Sequence, residues 1–179
     1  MTLMSSPTEN LIEYAMRVNT ALEKGEPFST YNRDILHASE IVACGFRYAK
    51  NEVNLLSNEL DERLYGKDYI AELVEDFVGE RNGKLNILVE TDVELEHPVL
   101  RVCKKFPSNT TVKRVPDQWQ KRYDYNFMLI DDIGYRFEAD RESQNAIVSF
   151  NQDDQIETRK NMKNCFDVLA GYSKPIEGM

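Results

Sequence analysis

Residues 125–138, YNFMLIDDIGYRFE, decide the fold class of this chain. Residues 127–130 form an unbroken apolar run between polar neighbours, which is typical of a strand buried on both faces. Residues 131–134 are typical turn formers, and we expect Gly134 to adopt a positive φ there. From 135 to 138 apolar and polar side chains alternate, which predicts a half-buried second strand. We therefore expect a hairpin at the centre of one α/β domain.

Helix and strand patterns alternate along the rest of the chain. Apolar residues at helical spacing predict five helices, at 11–24 (capped by Thr8 or Asn10), 34–49, 69–81, 98–106 and 155–170. Short apolar or β-branched runs predict strands at 27–31, 53–56, 85–89, 111–115 and 146–150. This order gives βαβ units, and hence a mixed, mostly parallel sheet flanked by helices. We expect an N-terminal helical extension at 1–26, the α/β domain at 27–171 and a flexible tail at 172–179.

Composition narrows the function classes. The chain has 179 residues and a net charge of −9, with 31 acidic against 22 basic residues. Attraction to phosphates dominates non-specific nucleic-acid binding, so nucleic acid is an unlikely partner. The three cysteines show no CxxC spacing, which argues against a zinc site or a disulfide framework and favours buried thiols in a reducing compartment. No signal sequence and no apolar run of roughly 20 residues is present, so we expect a cytoplasmic protein without a membrane span and without a cofactor.

The order of these elements resembles one half of a phospholipase D-like enzyme. Residues 83–89 resemble the family's Gly-x-x-[Val/Ile]-x-[Ile/Leu]-Leu strand, and residues 127–131 resemble its strand that ends in Ile-Asp. Ser149 and Asn151 match the Ser-x-Asn that follows. The resemblance extends from about residue 29 to residue 169 and implies a single phospholipase D-like α/β domain.

The catalytic signature of that family, His-x-Lys-x4-Asp, is degenerate here. In the family the His is the nucleophile, the Lys holds the phosphate and the Asp supports them. Aligned on Asp131, the chain has Asp124 at the His position and Asn126 at the Lys position. A carboxylate repels a phosphodiester, and an amide brings no positive charge to it. The resemblance therefore implies a catalytically inactive member, which we expect to be a protein-interaction or regulatory module. It also implies a homodimer that forms across the strand at 126–131.

The acidic segment 90–96 keeps an enzymatic alternative open. It follows a predicted strand end, where α/β folds place ligands, and Asp92, Glu94 and His97 are weak candidates for holding a cation. A solvated acidic loop and a surface histidine at a helix start are the default interpretation. The second hypothesis is accordingly a metal-dependent phosphodiesterase or nuclease. The third is nucleic-acid binding without cleavage.

An aromatic and basic segment lies in the connection before the hairpin. Trp119 and Tyr123 flank Lys121 and Arg122, a combination that is common where proteins bind partners. Packing of Trp119 beneath the connection is an equally good interpretation. The sequence does not identify the partner.

Overall fold

The structure is a computed structural model that describes residues 10–32, 34–143 and 145–179. In these residues one mixed sheet of eight strands carries helices on both faces, which confirms the predicted single α/β domain. The strands are β1 (Phe28–Asn32), β2 (Glu52–Ser57), β3 (Lys84–Val89), β4 (Thr110–Arg114), β5 (Asn126–Ile130), β6 (Gly134–Glu138), β7 (Ala146–Phe150) and β8 (Lys174–Pro175).

The helices occupy the segments predicted from their apolar spacing, with two short helices in addition. They are α1 (Leu11–Lys24), α2 (Ile35–Tyr48), α3 (Glu62–Tyr65), α4 (Asp68–Glu75), α5 (Pro98–Lys105), α6 (Asp117–Gln120) and α7 (Ile156–Tyr172). A π-helical turn, Asp76–Glu80, continues α4, and a 3-10 turn, Asp153–Gln155, precedes α7. Asn10 caps α1 through a reciprocal pair of hydrogen bonds with Glu13, whereas Thr8 lies outside the described residues.

The strand order is β1-β7-β6-β5-β2-β3-β4-β8. Only the pairings of β2 with β3 and of β3 with β4 are parallel, and the other five between described strands are antiparallel. The expected mostly parallel sheet is therefore wrong. Helical crossovers join β2 to β3 and β3 to β4, and these strands pair in parallel. Short connections join β5 to β6 and β6 to β7, and these consecutive strands therefore pair antiparallel.

The core has two layers of unequal size. One face of the sheet packs against α1, α2, α4 and α5, with residues such as Leu55, Ile87 and Val148 at its centre. The other face has a smaller cluster built around Phe127 and Phe166, with α7 as its cover. Across the three described segments, the structure contains no helix with the length and hydrophobicity of a membrane span.

The turn after β5 differs from the prediction. Asp131, not Gly134, takes a positive φ, of 44°. Gly134 is instead required by close approach, because a Cβ there would lie 2.3 Å from the Phe150 ring and 2.3 Å from the Ser149 carbonyl oxygen. The glycine thus allows β6 to pair with β7, and the left-handed conformation falls on a residue that tolerates it moderately well.

The chain returns to the sheet after α7, within the segment 172–179. Lys174–Pro175 forms β8 and pairs with β4 at Lys113 and Arg114. The Ile176 amide donates to the Val112 carbonyl, and the Ile176 side chain packs on the core. This short strand caps an edge that β4 would otherwise leave open.

Candidate functional site

The structure divides the signature-like positions between opposite edges of the sheet. Asn126, at the start of β5, lies where the parallel strands β2 and β3 end, and its Oδ1 accepts the Asn58 amide at 3.0 Å. Asp131 follows the end of β5 and contacts residues that precede or begin β2. Ser149 and Asn151 lie on the Asp131 side, since β7 ends beside the start of β6. These residues therefore do not form one site.

Asp131, the single matching signature residue, supports the backbone. Its carboxylate accepts the amides of Lys50 at 2.6 Å, Asn51 at 2.8 Å and Glu52 at 2.7 Å. Its own amide donates to the Glu52 carbonyl at 2.8 Å. The side chain therefore anchors the connection from α2 into β2.

Ser149 is buried in the sheet, and Asn151 is hydrogen-bonded to the backbone. Ser149 is 3% exposed within β7. Asn151 adopts a positive φ of 53°, and its Nδ2 donates to the Glu26 carbonyl at 3.2 Å. Asn151 therefore ties the end of β7 to the connection between α1 and β1.

Asn126 belongs to a buried polar cluster that the sequence analysis missed. Its Nδ2 donates to Glu138 Oε2 at 2.8 Å, and Glu138 Oε1 accepts from Arg136 Nη2 at 2.9 Å. The Arg136 and Glu138 side chains are only 2% and 6% exposed. The half-buried interpretation of β6 is thus wrong, because four of its five residues are buried and the charged side chains Arg136 and Glu138 pair with each other.

Tyr65 of α3 closes the cluster from the helical side. It is buried, and burial raises the pKa of its phenol, with the Arg136 guanidinium opposing and the Glu138 carboxylate adding to that rise. The phenol therefore stays protonated at neutral pH.

A second, partly buried ion pair spans the same edge. Arg141, in the connection between β6 and β7, donates two hydrogen bonds of 2.7 Å to the Glu90 carboxylate and one of 3.1 Å to the Tyr125 carbonyl. The Arg141 and Glu90 side chains are 17% and 7% exposed. Glu90 was expected in a solvated acidic loop, and the structure instead places it where a fork-shaped guanidinium holds it bidentately.

The aromatic and basic segment has one inward and three outward members. Tyr123 is half-buried beneath the Arg141 guanidinium, 5.3 Å from its ring centroid, and burial together with Glu90 raises the pKa of its phenol. Trp119 is half-buried, stacks on Tyr172 at 4.8 Å and has the Arg122 guanidinium 4.7 Å from its ring centroid. Lys121 and Arg122 are exposed, as is Tyr172. Trp119 is therefore partly packed, as one interpretation of the sequence expected, and partly exposed, as the other expected.

The weak metal candidates line one cavity of about 360 Å³ but do not form a ligand set. Asp92 and Glu94 are exposed, whereas His97 is buried and caps α5 by accepting the Val99 amide on Nδ1. Burial lowers the pKa of His97, opposed by Glu62 and the Leu60 backbone. In the described part of the chain, no group of three or more His, Cys, Asp or Glu residues is arranged to hold a metal ion.

Two ion pairs neutralise the arginines of this edge. Arg136 is paired with Glu138, and Arg141 with Glu90, while Asp124, which the sequence resemblance aligns with the His of the phospholipase D-like signature, is exposed. The usable sequence signal was weak: Arg136 and Glu138 alternate within a strand next to the fully apolar run of β5. A strand in that position has both faces covered, and its charged residues then require partners.

Comparison with known proteins identifies the family and the fold. The sequence model of DUF7931, a domain of unknown function, matches residues 37–175. No curated protein matches the chain significantly. The structure is similar to NucT from Helicobacter pylori, with a TM-score of 0.59 and 14% identity over 84% of this chain and 100% of NucT.

Two larger proteins contain a similar domain. TrmBL2, an archaeal chromatin protein with a novel mode of DNA binding, gives a TM-score of 0.57 and 14% identity over 83% of this chain. The match spans about half, 54%, of TrmBL2. Phosphatidylserine synthase from Haemophilus influenzae Rd KW20 gives a TM-score of 0.51 and 9% identity over 84% of this chain and 39% of the synthase. Identities this low establish the fold alone, and that fold is phospholipase D-like.

Proposed function

We propose that this chain, a member of the DUF7931 family, is a non-catalytic protein-interaction or regulatory module built on a phospholipase D-like fold. The observation that supports this most is the internal neutralisation of the polar edge. Both buried arginines there already hold a carboxylate of the same chain.

The polar edge lacks the two groups that phosphodiester cleavage most requires, a nucleophile and a cation that binds the phosphate. A nucleophile and a cation must meet the phosphate, but the corresponding positions hold the carboxylate of Asp124 and the amide of Asn126. The Asn126 amide is also engaged on both sides, by Asn58 and by Glu138. A phosphate would therefore meet a repelling charge and an occupied hydrogen-bond donor.

The buried arginines are not available as replacements for the lysine. Breaking a buried ion pair costs about 3–5 kcal/mol because it leaves an uncompensated charge. A phosphate that took Arg136 from Glu138 would leave that carboxylate in such a state. The polar edge is better suited to fixing the ends of β2, β5 and β6 than to binding an anion.

A separate exposed surface supports the interaction role. Arg122, Trp119 and Tyr172 form a stack at the surface beside Lys121. Tyr172 is 56% exposed, which leaves one aromatic face open to a partner. Trp, Tyr and Arg are the residue types that most often dominate binding energy at protein interfaces.

A hydrolysis assay tests the non-catalytic part of the proposal. The substrates are bis(p-nitrophenyl) phosphate and single-stranded and duplex DNA, each with and without Mg²⁺, Mn²⁺ or Zn²⁺. We expect no turnover above the buffer rate. Metal-dependent turnover that Asp92→Ala or Glu94→Ala abolishes would overturn the proposal in favour of the metal-dependent alternative. Binding of the same DNA with a steep salt dependence would favour the nucleic-acid alternative.

Affinity capture with matched variants tests the interaction surface. Trp119→Ala should weaken capture of a specific partner about 30-fold or more, as expected for a hot-spot aromatic residue. Tyr69→Ala is the control, because Tyr69 is an aromatic residue of α4 with 39% exposure. Equal capture by both variants would exclude this surface, provided that both keep the wild-type circular dichroism spectrum.

A homodimer is a further part of the proposal. Because β5 pairs with β2 and β6, two copies cannot join by pairing this strand and would have to meet through the strand ends. Sedimentation velocity across a concentration series tests this, and a monomer at every concentration would refute it.

A further inference from the structure

A cavity of about 600 Å³ lies between the first half of α7 and the sheet. Phe127, Phe137 and Ile147 form its floor, and Thr158 and Asn161 form part of the helical wall. We propose that this cavity binds a neutral, planar, mainly apolar small molecule. The proposal is independent of the function proposed above.

The separation between α7 and the sheet is a consequence of the sequence of α7. The fully buried side chains of this helix, Phe166 and Leu169, lie in its later turns and pack against the second core cluster. Towards its N-terminal end the cavity wall is neutral and polar, whereas Ile156 is 55% exposed. Apolar side chains facing the sheet there would close the gap by burying surface. The helix is thus built to leave this space open.

Two polar contacts bridge the cavity walls. Tyr135 of β6 donates its hydroxyl to Gln155 Oε1, directly before α7 begins. The Tyr125 hydroxyl lies 3.4 Å from Cys165 Sγ, further along the helix. Burial raises the pKa of Tyr125 to about 12, with Cys165 adding to the rise, so this hydroxyl remains a neutral hydrogen-bonding group. These contacts fix the spacing of the walls.

Charge selects the class of ligand. Among the described residues, the ten that line the cavity include no Asp, Glu, Lys, Arg or His. An ionised ligand would lose hydration here without gaining a partner, whereas a neutral one would not. The lining therefore favours neutral molecules.

Shape selects a planar, apolar molecule of small size. Small-molecule sites commonly have volumes of about 300–1,000 Å³ and mainly apolar walls with a few polar groups. The Tyr125 and Phe127 rings stack at 6.1 Å with 26° between their planes, and Phe137 lies 5.4 Å from Tyr125. Such an aromatic floor favours offset stacking with a planar ring. Ile147, 45% exposed, adds apolar surface that a ligand would cover.

Two fluorescent probes with the same ring system test the proposal. N-phenyl-1-naphthylamine is neutral, and 8-anilinonaphthalene-1-sulfonate carries an added sulfonate. We expect saturable one-to-one binding of the neutral probe to the folded chain, at least about tenfold tighter than that of the sulfonate. The neutral probe should also slow the reaction of Cys165 with N-ethylmaleimide.

A matched pair of charge variants locates the site. Asn161 lines the cavity and Asn164 does not, yet both are exposed residues of α7. Asn161→Glu should weaken binding of the neutral probe at least about tenfold, and Asn164→Glu should change it less than about twofold. Thr158→Trp, which fills the space, should abolish binding while the far-UV spectrum is retained.

Three results would overturn the proposal. The first is no saturable binding of the neutral probe, and the second is equal affinity of the two charge variants. The third is a concentration-dependent dimer that Asn161→Glu dissociates and Asn164→Glu does not, because a second copy would then occupy the cavity.

Discussion

Replacing Asp131 distinguishes a structural anchor from a catalytic remnant. The carboxylate accepts three backbone amides at the entry to β2, and the residue has a φ of 44°. If this account is correct, substitutions at Asp131 will be ranked by how many of these hydrogen bonds they keep and by how well they tolerate the left-handed conformation. They will act on stability.

The magnitudes follow from the geometry. A hydrogen bond to a charged group contributes about 1.5–3 kcal/mol, less where water can replace the carboxylate, as at the exposed Lys50 and Asn51 amides. Asp131→Asn keeps the acceptor for Asn51 and Glu52 and loses the one for Lys50, so it should cost about 1–2 kcal/mol. Asp131→Gly loses all three without backbone strain, about 3–4 kcal/mol. Asp131→Ala adds about 1 kcal/mol of left-handed strain to that loss.

Equilibrium urea unfolding, followed by far-UV circular dichroism, measures this series. Asp132→Ala is the control, because Asp132 is an exposed neighbour in the same turn and should change stability by no more than about 0.5 kcal/mol. Asp131 is not such an anchor if Asp131→Ala lies within about 1 kcal/mol of wild type, or if Asp131→Ala is more stable than Asp131→Gly.

Three further predictions concern other parts of the chain. Arg81 donates hydrogen bonds of 2.6–3.1 Å to three carbonyls at the C-terminal end of α2. Because lysine lacks the guanidinium fork, Arg81→Lys should lower the free energy of unfolding by about 2 kcal/mol or more. Urea unfolding measures this, and an unchanged midpoint would contradict it. Burial lowers the pKa of His97 below 6.5, so the unfolded chain takes up a proton first as pH falls through that value. Wild type should therefore lose stability relative to His97→Asn between neutral and acidic pH, and a pH-independent difference would disprove the assignment. One equivalent of N-ethylmaleimide should react quickly with the native chain, at Cys165. The thiols of Cys44 and Cys103 should react slowly, because they are buried and burial raises their pKa to about 12. Mass spectrometry measures the labelling, and equal rates at all three cysteines would count against this prediction.

The sequence alone determined most of the secondary structure. The apolar run at 127–130 became β5, a central strand with both faces covered, because only a strand in that position buries consecutive side chains. The helical spacing of 11–24 gave α1 with an Asn10 cap, since both signals are local. The resemblance to a phospholipase D-like domain rested on the same local patterns in the same order.

The pairing of charges at the polar edge depends on packing that local sequence patterns do not encode. Glu138 lies opposite Asn126 because of the register of β5 and β6, and this pairing explains why a charged residue is buried in β6. The Glu90–Arg141 pair joins residues 51 positions apart in the sequence. β8 pairs with β4 although the hairpin and α7 lie between these two strands in the sequence. Periodicity reports which side of an element is apolar, but it does not report which elements become neighbours. Charged residues near strand ends look solvated in the sequence, and only packing shows that they neutralise one another.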